Sequence, residues 1–330
     1  MLMTIVWGSF KAIVWGLALV AFVGLVLAAM IATPIKRPPE LTSISAAAGA
    51  VDRSDMPPLQ RFHARDGTEL GYRHYPARGP ASGQAAVLIH GSSGSSVAVH
   101  ALAKALAAHG VETWAPDIRG HGASGTRGDI VYLGQLEDDM SDLVAEIRKT
   151  NAAAPLTLLG HSSGGGFALR IAGSSIQNLF ARTVLLSPYL GYDAPSSRQD
   201  AGGWASPDLP RFLGLSVLRR LGITCCESLP TIAFAVGPDT SAILASTYSY
   251  RLMRNFGAAQ YRADLAAAGK PVALYAGAAD ELMFPDKYGD TVGPRVPVKL
   301  IDGVNHMAIV SDPAALSVIA DDVAKAGSGS

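Results

Sequence analysis

Cysteine is almost missing: two residues, Cys225 and Cys226, stand side by side in 330. That excludes a disulfide scaffold and any Cys-rich zinc module. Charge is scarce as well. Charged residues make up 16% of the chain, against about 25% in an ordinary soluble domain. The 27 basic and 27 acidic side chains cancel. Such a balance argues against a nucleic-acid binder, which carries a basic face, and against a charge-rich disordered chain. There is no HExxH, no C-x-x-C, no P-loop and no GxGxxG after a first strand, so no metal and no cofactor is implied. Internal repeats are absent too.

What the chain has instead is a long apolar run. Between Lys11 and Lys36 lie 24 residues without a charge. As a helix at 1.5 Å per residue they would extend about 36 Å, enough for a hydrocarbon core of about 30 Å. The apolar region of a cleaved signal peptide is shorter, about 7–15 residues. Residues 1–35 therefore fit a single-pass membrane anchor better than a signal peptide, which stays as the alternative. Trp7 and Trp15 suit an interface, and Pro34 ends the helix. Lys11 on one side and Lys36 and Arg37 on the other nearly balance, so the run has no clear orientation. Residues 36–58 are rich in Pro, Ser and Ala without a period and read as a flexible linker. Residues 327–330, Gly-Ser-Gly-Ser, read as a linker-like tail.

From Leu59 the pattern changes. LQRFHA and LGYRHY flank Asp66-Gly67 and predict a hairpin with a type I′ turn. AAVLIH at 85–90 is continuously apolar, as expected of a parallel strand covered on both faces. Strands at 111–116, 156–160, 181–187, 271–277 and 296–302 then alternate with helical stretches at 136–149, 162–173 and 313–325. A hairpin followed by this alternation predicts an α/β fold with a mostly parallel sheet and helices on both faces. The rhythm fails over 189–258, which is rich in aromatics. That segment reads as a cap inserted into a core of residues 59–188 and 259–326. Ligands of such sheets bind outside the carboxyl ends of the strands.

One motif sits at such an end. Gly160-His161-Ser162-Ser163-Gly164 follows the strand LTLL and opens the helical GGGFALRIA. G-x-S-x-G between strand and helix is a nucleophile elbow, a sharp turn that holds the Ser162 hydroxyl at the sheet edge. Gly160 and Gly164 remove the Cβ clashes of the tight turn, and the Ser163 amide can face an oxyanion. A serine needs a base. Of eight histidines only His306 follows Ser162, and the elbow order is Ser, acid, His. Eleven acids lie between Ser163 and His306. Asp280 follows the strand PVALYAG by three residues, with Glu281 its neighbour and rival. A second oxyanion amide is expected from the loop after residues 85–90, from Ser92 or else Ser93. His90 is expected to tie that loop down, and the turn from Asp117 to Ser124 to pack beside the site.

Taken in order, VLIHGSSG, PDIRGHGASG, LLGHSSGGG, YAGAADELM and DGVNHM resemble the α/β-hydrolase superfamily over about residues 59–326. The chain looks most like the capped branch of monoacylglycerol-lipase-like and serine-aminopeptidase-like hydrolases, often labelled lysophospholipases. It departs from the lipase branch at HGSSG, where those relatives often carry HGxGE. The resemblance implies attack by Ser162 on an ester carbonyl, proton transfer through His306 held by Asp280, oxyanion support from Ser92 and Ser163, and an acyl-enzyme that water hydrolyses. The anchor and the apolar cap point to a hydrophobic or lipid-derived ester. A peptidase or amidase, in which Glu227 or Asp239 would hold an amine, an acyltransferase, and a non-catalytic binder are the competing classes. Neither an oligomeric state nor a nucleic-acid partner is implied.

Overall fold

A computed structural model describes residues 2–240, 243–258 and 260–326. The expected tail at 327–330 lies outside these residues. In chain order the helices are α1 (Leu2–Ile31), α2 (Thr42–Gly49), α3 (His100–Ala108), α4 (Gln135–Arg148), α5 (Ser163–Ala172), α6 (Leu209–Arg220), α7 (Tyr250–Asn255), α8 (Tyr261–Ala267), α9 (Tyr288–Val292) and α10 (Pro313–Lys325). The strands are β1 (Gln60–His63), β2 (Glu69–Tyr75), β3 (Ala85–Ile89), β4 (Glu112–Pro116), β5 (Leu156–His161), β6 (Arg182–Leu186), β7 (Ala205–Pro207), β8 (Pro230–Phe234), β9 (Thr247–Ser249), β10 (Val272–Gly277) and β11 (Val298–Ile301).

Eight strands form one sheet in the order β1-β2-β4-β3-β5-β6-β10-β11. Strands β4 to β11 of that order run parallel, while β2 pairs antiparallel with both β1 and β4. Every residue of β3, β5 and β10 is buried, because helices cover both faces. One apolar layer joins the sheet to α3 and α10, and the other joins it to α4 and α5. Helix α4 starts with Glu137 and Asp138 and ends with Arg148, each charge opposing the helix dipole.

The hairpin turn differs from expectation. Gly67 donates its amide to the Ala64 carbonyl at 2.8 Å. A type I′ turn needs positive φ at both central residues, yet in this loop only Gly67 has it, at 81°. The loop is thus three residues long, Arg65 to Gly67. The segment at 189–258 carries a small antiparallel sheet, β7-β8-β9, beside α6 and α7. Sequence gave no sign of it, since its strands are three to five residues long.

The stretch expected to be a flexible linker, 36–58, is also different. It contains α2, whose Ile44 is buried in the main core. Leu41 donates its amide to the Ala235 carbonyl at 3.1 Å. Asp55 pairs with Lys104 at 2.5 Å and with His100 at 3.1 Å. The end of α1 is fixed as well: Arg211 on α6 donates to the carbonyls of Ile31 and Thr33, and the Thr33 hydroxyl donates to Asp208 at 3.0 Å. Within α1, Ser9–Ile31 is 23 residues long and apolar enough to cross a membrane.

Magnitudes separate two arginine clusters. Arg119 reaches Asp139 at 2.7 Å and Asp66 at 3.0 Å, with its side chain 4% exposed. Arg65 reaches Asp138 at 2.7 Å and Asp142 at 2.9 Å, but is 49% exposed. Removing one partner of a buried pair costs about 3–5 kcal/mol, and an exposed pair contributes about 1 kcal/mol or less. Urea unfolding of Arg119→Ala should show the larger loss and Arg65→Ala the smaller; equal losses would contradict this assignment.

Candidate active site

Ser162 stands between the last residue of β5 and the first of α5, at φ 55° and ψ −120°. A non-glycine residue there is strained by about 1–3 kcal/mol, so its surroundings must hold it. The Ser162 amide donates to the Leu186 carbonyl at 2.9 Å. The Ser162 carbonyl accepts from the amides of Gly165, Gly166 and Tyr189 at 2.9, 3.1 and 3.0 Å. The backbone closes so tightly that a Cβ on Gly160 would lie 2.1 Å from the Gly164 carbonyl oxygen. One on Gly164 would lie 2.2 Å from the His90 carbonyl oxygen. Any side chain at either position would force the turn open.

His306 lies on the loop after β11, and Asp280 on the loop after β10. The His306 ring Nδ1 is 2.9 and 3.0 Å from the two Asp280 carboxylate oxygens. Asp280 Oδ1 also accepts from the amides of Leu282 and Met283 at 2.9 and 3.0 Å. Burial alone would raise the Asp280 pKa. The His306 hydrogen bond and charge, with the amide donors, outweigh that and hold it below the usual carboxylate value. Its rival Glu281 does something else: its carboxylate accepts from the His306 backbone amide at 3.1 Å. Ser162 and His306 border one cavity with no hydrogen bond between their side chains, the loose geometry usual before substrate binds.

The loop after β3 is held from several sides. His90 donates from Nδ1 to the Gly91 carbonyl at 2.7 Å, and its Nε2 accepts the Ile118 amide at 3.2 Å. The Ser93 amide donates to the Tyr248 hydroxyl oxygen at 2.5 Å. Burial pushes the Tyr248 hydroxyl pKa far up, so it keeps its proton and donates it to His121 Nε2 at 2.5 Å. The other ring nitrogen of His121 then donates to the Ile118 carbonyl at 3.2 Å. Ser93 is thereby committed to the cap. Ser92 borders the cavities, and its hydroxyl accepts from Trp204 Nε1 at 2.8 Å. Tyr248 and Trp204 carried no signal in the sequence beyond being cap aromatics.

Two cavities meet at Ser162 and Ser92. The larger, about 340 Å³, runs beneath the cap and is lined by residues such as Tyr189, Phe212, Leu213, Ile232, Phe234 and Met253, with Ser163 at its floor. The smaller, about 70 Å³, is bordered by His306 and Met307 and by Ile44, Ala47 and Ala48 of α2. No carboxylate lines either one among the described residues. Glu227 instead pairs with Arg219 at 2.5 Å, and Asp239 is exposed; neither is positioned to hold a substrate amine.

Comparison with known proteins agrees with this architecture. The family described as serine aminopeptidase, S33 (Hydrolase_4), matches residues 81–311. A monoglyceride lipase homolog of Monkeypox virus is 32% identical over 106 residues, which is 32% of this chain and 38% of that protein. The chain thus spans under two-fifths of that relative's length. A soluble variant of monoglyceride lipase from Saccharomyces cerevisiae, solved with a substrate analogue, superposes with a TM-score of 0.60 at 18% identity, over 83% of this chain and 95% of that one. The monoacylglycerol lipase of Paleococcus ferrophilus gives 0.53 at 20% identity, over 78% and 98%. At these identities the structures establish the α/β-hydrolase fold.

Three buried histidines surround the elbow and stay neutral. Burial is the main cause in each; it lowers the pKa of His90, takes that of His121 well below the ordinary value, and takes that of His161 to about 3. The unfolded chain would protonate them near 6.5, so it binds more protons than the folded chain below that pH. Their contribution is intact above pH 6.5 and is lost as pH falls toward the folded values. Each costs up to about 1.4 kcal/mol per pH unit. Denaturation midpoints should therefore fall steeply between pH 6.5 and 5, and less so in His161→Gln. A flat midpoint over that range would contradict the neutral assignment.

Proposed function

The chain belongs to the serine aminopeptidase S33 family of α/β hydrolases, and on that premise we propose that it is a membrane-anchored serine hydrolase cleaving carboxylic esters of apolar acids. The observation that carries this reading is the strained Ser162 bordering one cavity with a His306 ring that Asp280 holds. In this account Ser162 Oγ attacks the carbonyl while His306 Nε2 takes its proton. Asp280 keeps Nδ1 protonated and stabilises the imidazolium. The amides of Ser163 and Ser92 stabilise the oxyanion. Ser93 is the poorer second donor because its amide is engaged by Tyr248. His306 then protonates the leaving alcohol, and water, activated by the same ring, releases the acid.

The two cavities take different halves of the substrate. The proton on His306 must reach the leaving oxygen, so the alcohol lies in the smaller cavity, which His306 borders. The acyl group lies in the larger one, which His306 does not border. At about 340 Å³ it exceeds twice the ~150 Å³ that accommodates a benzene ring. A monoacylglycerol lipase and its homologue among the relatives favour an ester over an amide. So does the lack of a carboxylate facing either cavity among the described residues, since an aminopeptidase needs one for the substrate's amine.

The anchor reading draws on the length of α1 and on its neighbour. Helix α6, which grips the end of α1, exposes Leu209, Leu213 and Val217. Leu209 and Leu213 also line the acyl cavity. The acyl chain of an ester leaving the bilayer beside α1 would meet that wall first.

A p-nitrophenyl ester series from acetate to palmitate, with detergent-solubilised protein, tests the reading. Turnover should peak at chains of about eight carbons or more, and Ser162→Ala should lower kcat at least about 10³-fold. Turnover confined to short chains would refute the apolar acid, and undiminished turnover in Ser162→Ala would refute the serine mechanism.

A further inference from the structure

The cavity assigned to the leaving alcohol has two kinds of wall. Its polar side chains are mostly those of the reacting cluster, Ser92, His161, Ser162 and His306, together with Trp204 and Ser311. Several are already engaged. The Ser92 hydroxyl accepts from Trp204 Nε1 at 2.8 Å. Ser311 donates to the Met307 carbonyl at 3.4 Å. The His161 ring donates from Nε2 to the His306 carbonyl at 3.1 Å, and its Nδ1 packs against Gly91, 3.2 Å from where a Cβ would stand. Asp, Glu, Lys and Arg are absent among the described residues that line the cavity. The second wall is aliphatic, and the segment between α1 and β1 supplies much of it: Ile44, Ala47 and Ala48 of α2, then Val51. This wall is fixed in place. Ile44 is buried in the main core, the Leu41 amide holds the Ala235 carbonyl at one end, and Asp55 pairs with Lys104 and His100 at the other. It lies outside residues 81–311, the part that matches the family.

We propose that α2 and Val51 select the alcohol, and that the substrates are esters of an apolar monohydric alcohol rather than of glycerol. The proposal rests on the ester-hydrolase reading above and names its substrate class. An alkyl group placed against Ile44, Ala47, Ala48 and Val51 leaves water for an apolar surface, which is favourable in proportion to the area buried. A glyceryl group would bring two further hydroxyls to the same wall. The Ser92 hydroxyl hydrogen can serve one of them. The other would give up water without gaining a partner, which is costly. The chemistry is that of the reading above: the bond from the acyl carbon to the alkoxy oxygen breaks, the acyl carbon stays on Ser162 Oγ, and His306 gives the alkoxide its proton. What the segment between α1 and β1 adds is the choice of which alkoxide can be seated there.

Full-length protein in neutral detergent, assayed on propyl octanoate and monooctanoylglycerol, tests this. The two alcohols share a carbon skeleton and differ only in the hydroxyls of glycerol. With each rate divided by that ester's rate in alkali, wild type should favour the propyl ester in kcat/KM by roughly a hundredfold, the selectivity of an apolar pocket against an added hydroxyl. Ala47→Asn gives the wall a carboxamide and Val51→Thr gives it a hydroxyl. Each should lower that ratio by roughly tenfold, the effect of one hydrogen bond. Because the ratio is taken within one preparation, any loss of folded protein cancels from it. A wild-type ratio near or below one, or a ratio unmoved by both variants, would overturn the proposal. Wild type that hydrolyses p-nitrophenyl octanoate but neither of these esters would leave the ester reading standing and overturn the proposal. Wild type inert toward all of them would refute the ester reading, and the proposal with it.

Discussion

The site depends on a backbone approach that only glycine permits. Gly160, Gly164 and the His90 carbonyl meet at distances that leave no space for a Cβ, and this crowding holds Ser162 at its strained φ of 55°. The strain is sustained because the Ser162 amide and carbonyl make four backbone hydrogen bonds, one donated and three accepted. Everything else is arranged around that fixed point. The loop carrying Ser92 lies against the elbow through His90, and His161 reaches the His306 carbonyl at 3.1 Å. Both histidines stay neutral because burial disfavours their charge, so they act as oriented hydrogen-bond donors rather than as competing bases.

A second principle is that the cap and the N-terminal segment are wired into this centre. Tyr248 connects the Ser93 amide to His121, and Trp204 reaches the Ser92 hydroxyl. A shift of the cap would therefore be felt in the loop beside the reacting carbonyl. On the other side, α2 lies over the cavity that His306 borders, and its chain continues through Thr33 and Ile31, which are bonded to α6. The apolar helix α1, the cap and the mouth of the site form one connected path. Such a path suits an enzyme whose substrate would arrive from a membrane.

Much of this was legible in the sequence, for identifiable reasons. The strands β3, β5 and β10 are buried on both faces, so continuous apolar runs revealed them. Ser162 and His306 stood out because a single histidine follows the elbow motif, and the fold brings both to one cavity. Asp280 is preferred to its neighbour Glu281 for its place just past the strand PVALYAG, and in the structure its carboxylate meets the His306 ring while that of Glu281 meets the His306 backbone amide. Helix α2 was illegible because TSISAAAG is short and its fixing is tertiary, through Ile44 and the Leu41 amide. The contact of His121 with Tyr248 joins residues 127 positions apart, which no local pattern encodes.

The central claim is that Ser162 carries the acyl group during turnover. Rapid acid quenching of the protein with a medium-chain ester, followed by peptide mass mapping, tests this most directly. The account predicts an acyl adduct on the peptide containing Ser162, formed before steady state and absent from Ser162→Ala. Turnover with no adduct there, or with the acyl group on another residue, would contradict it.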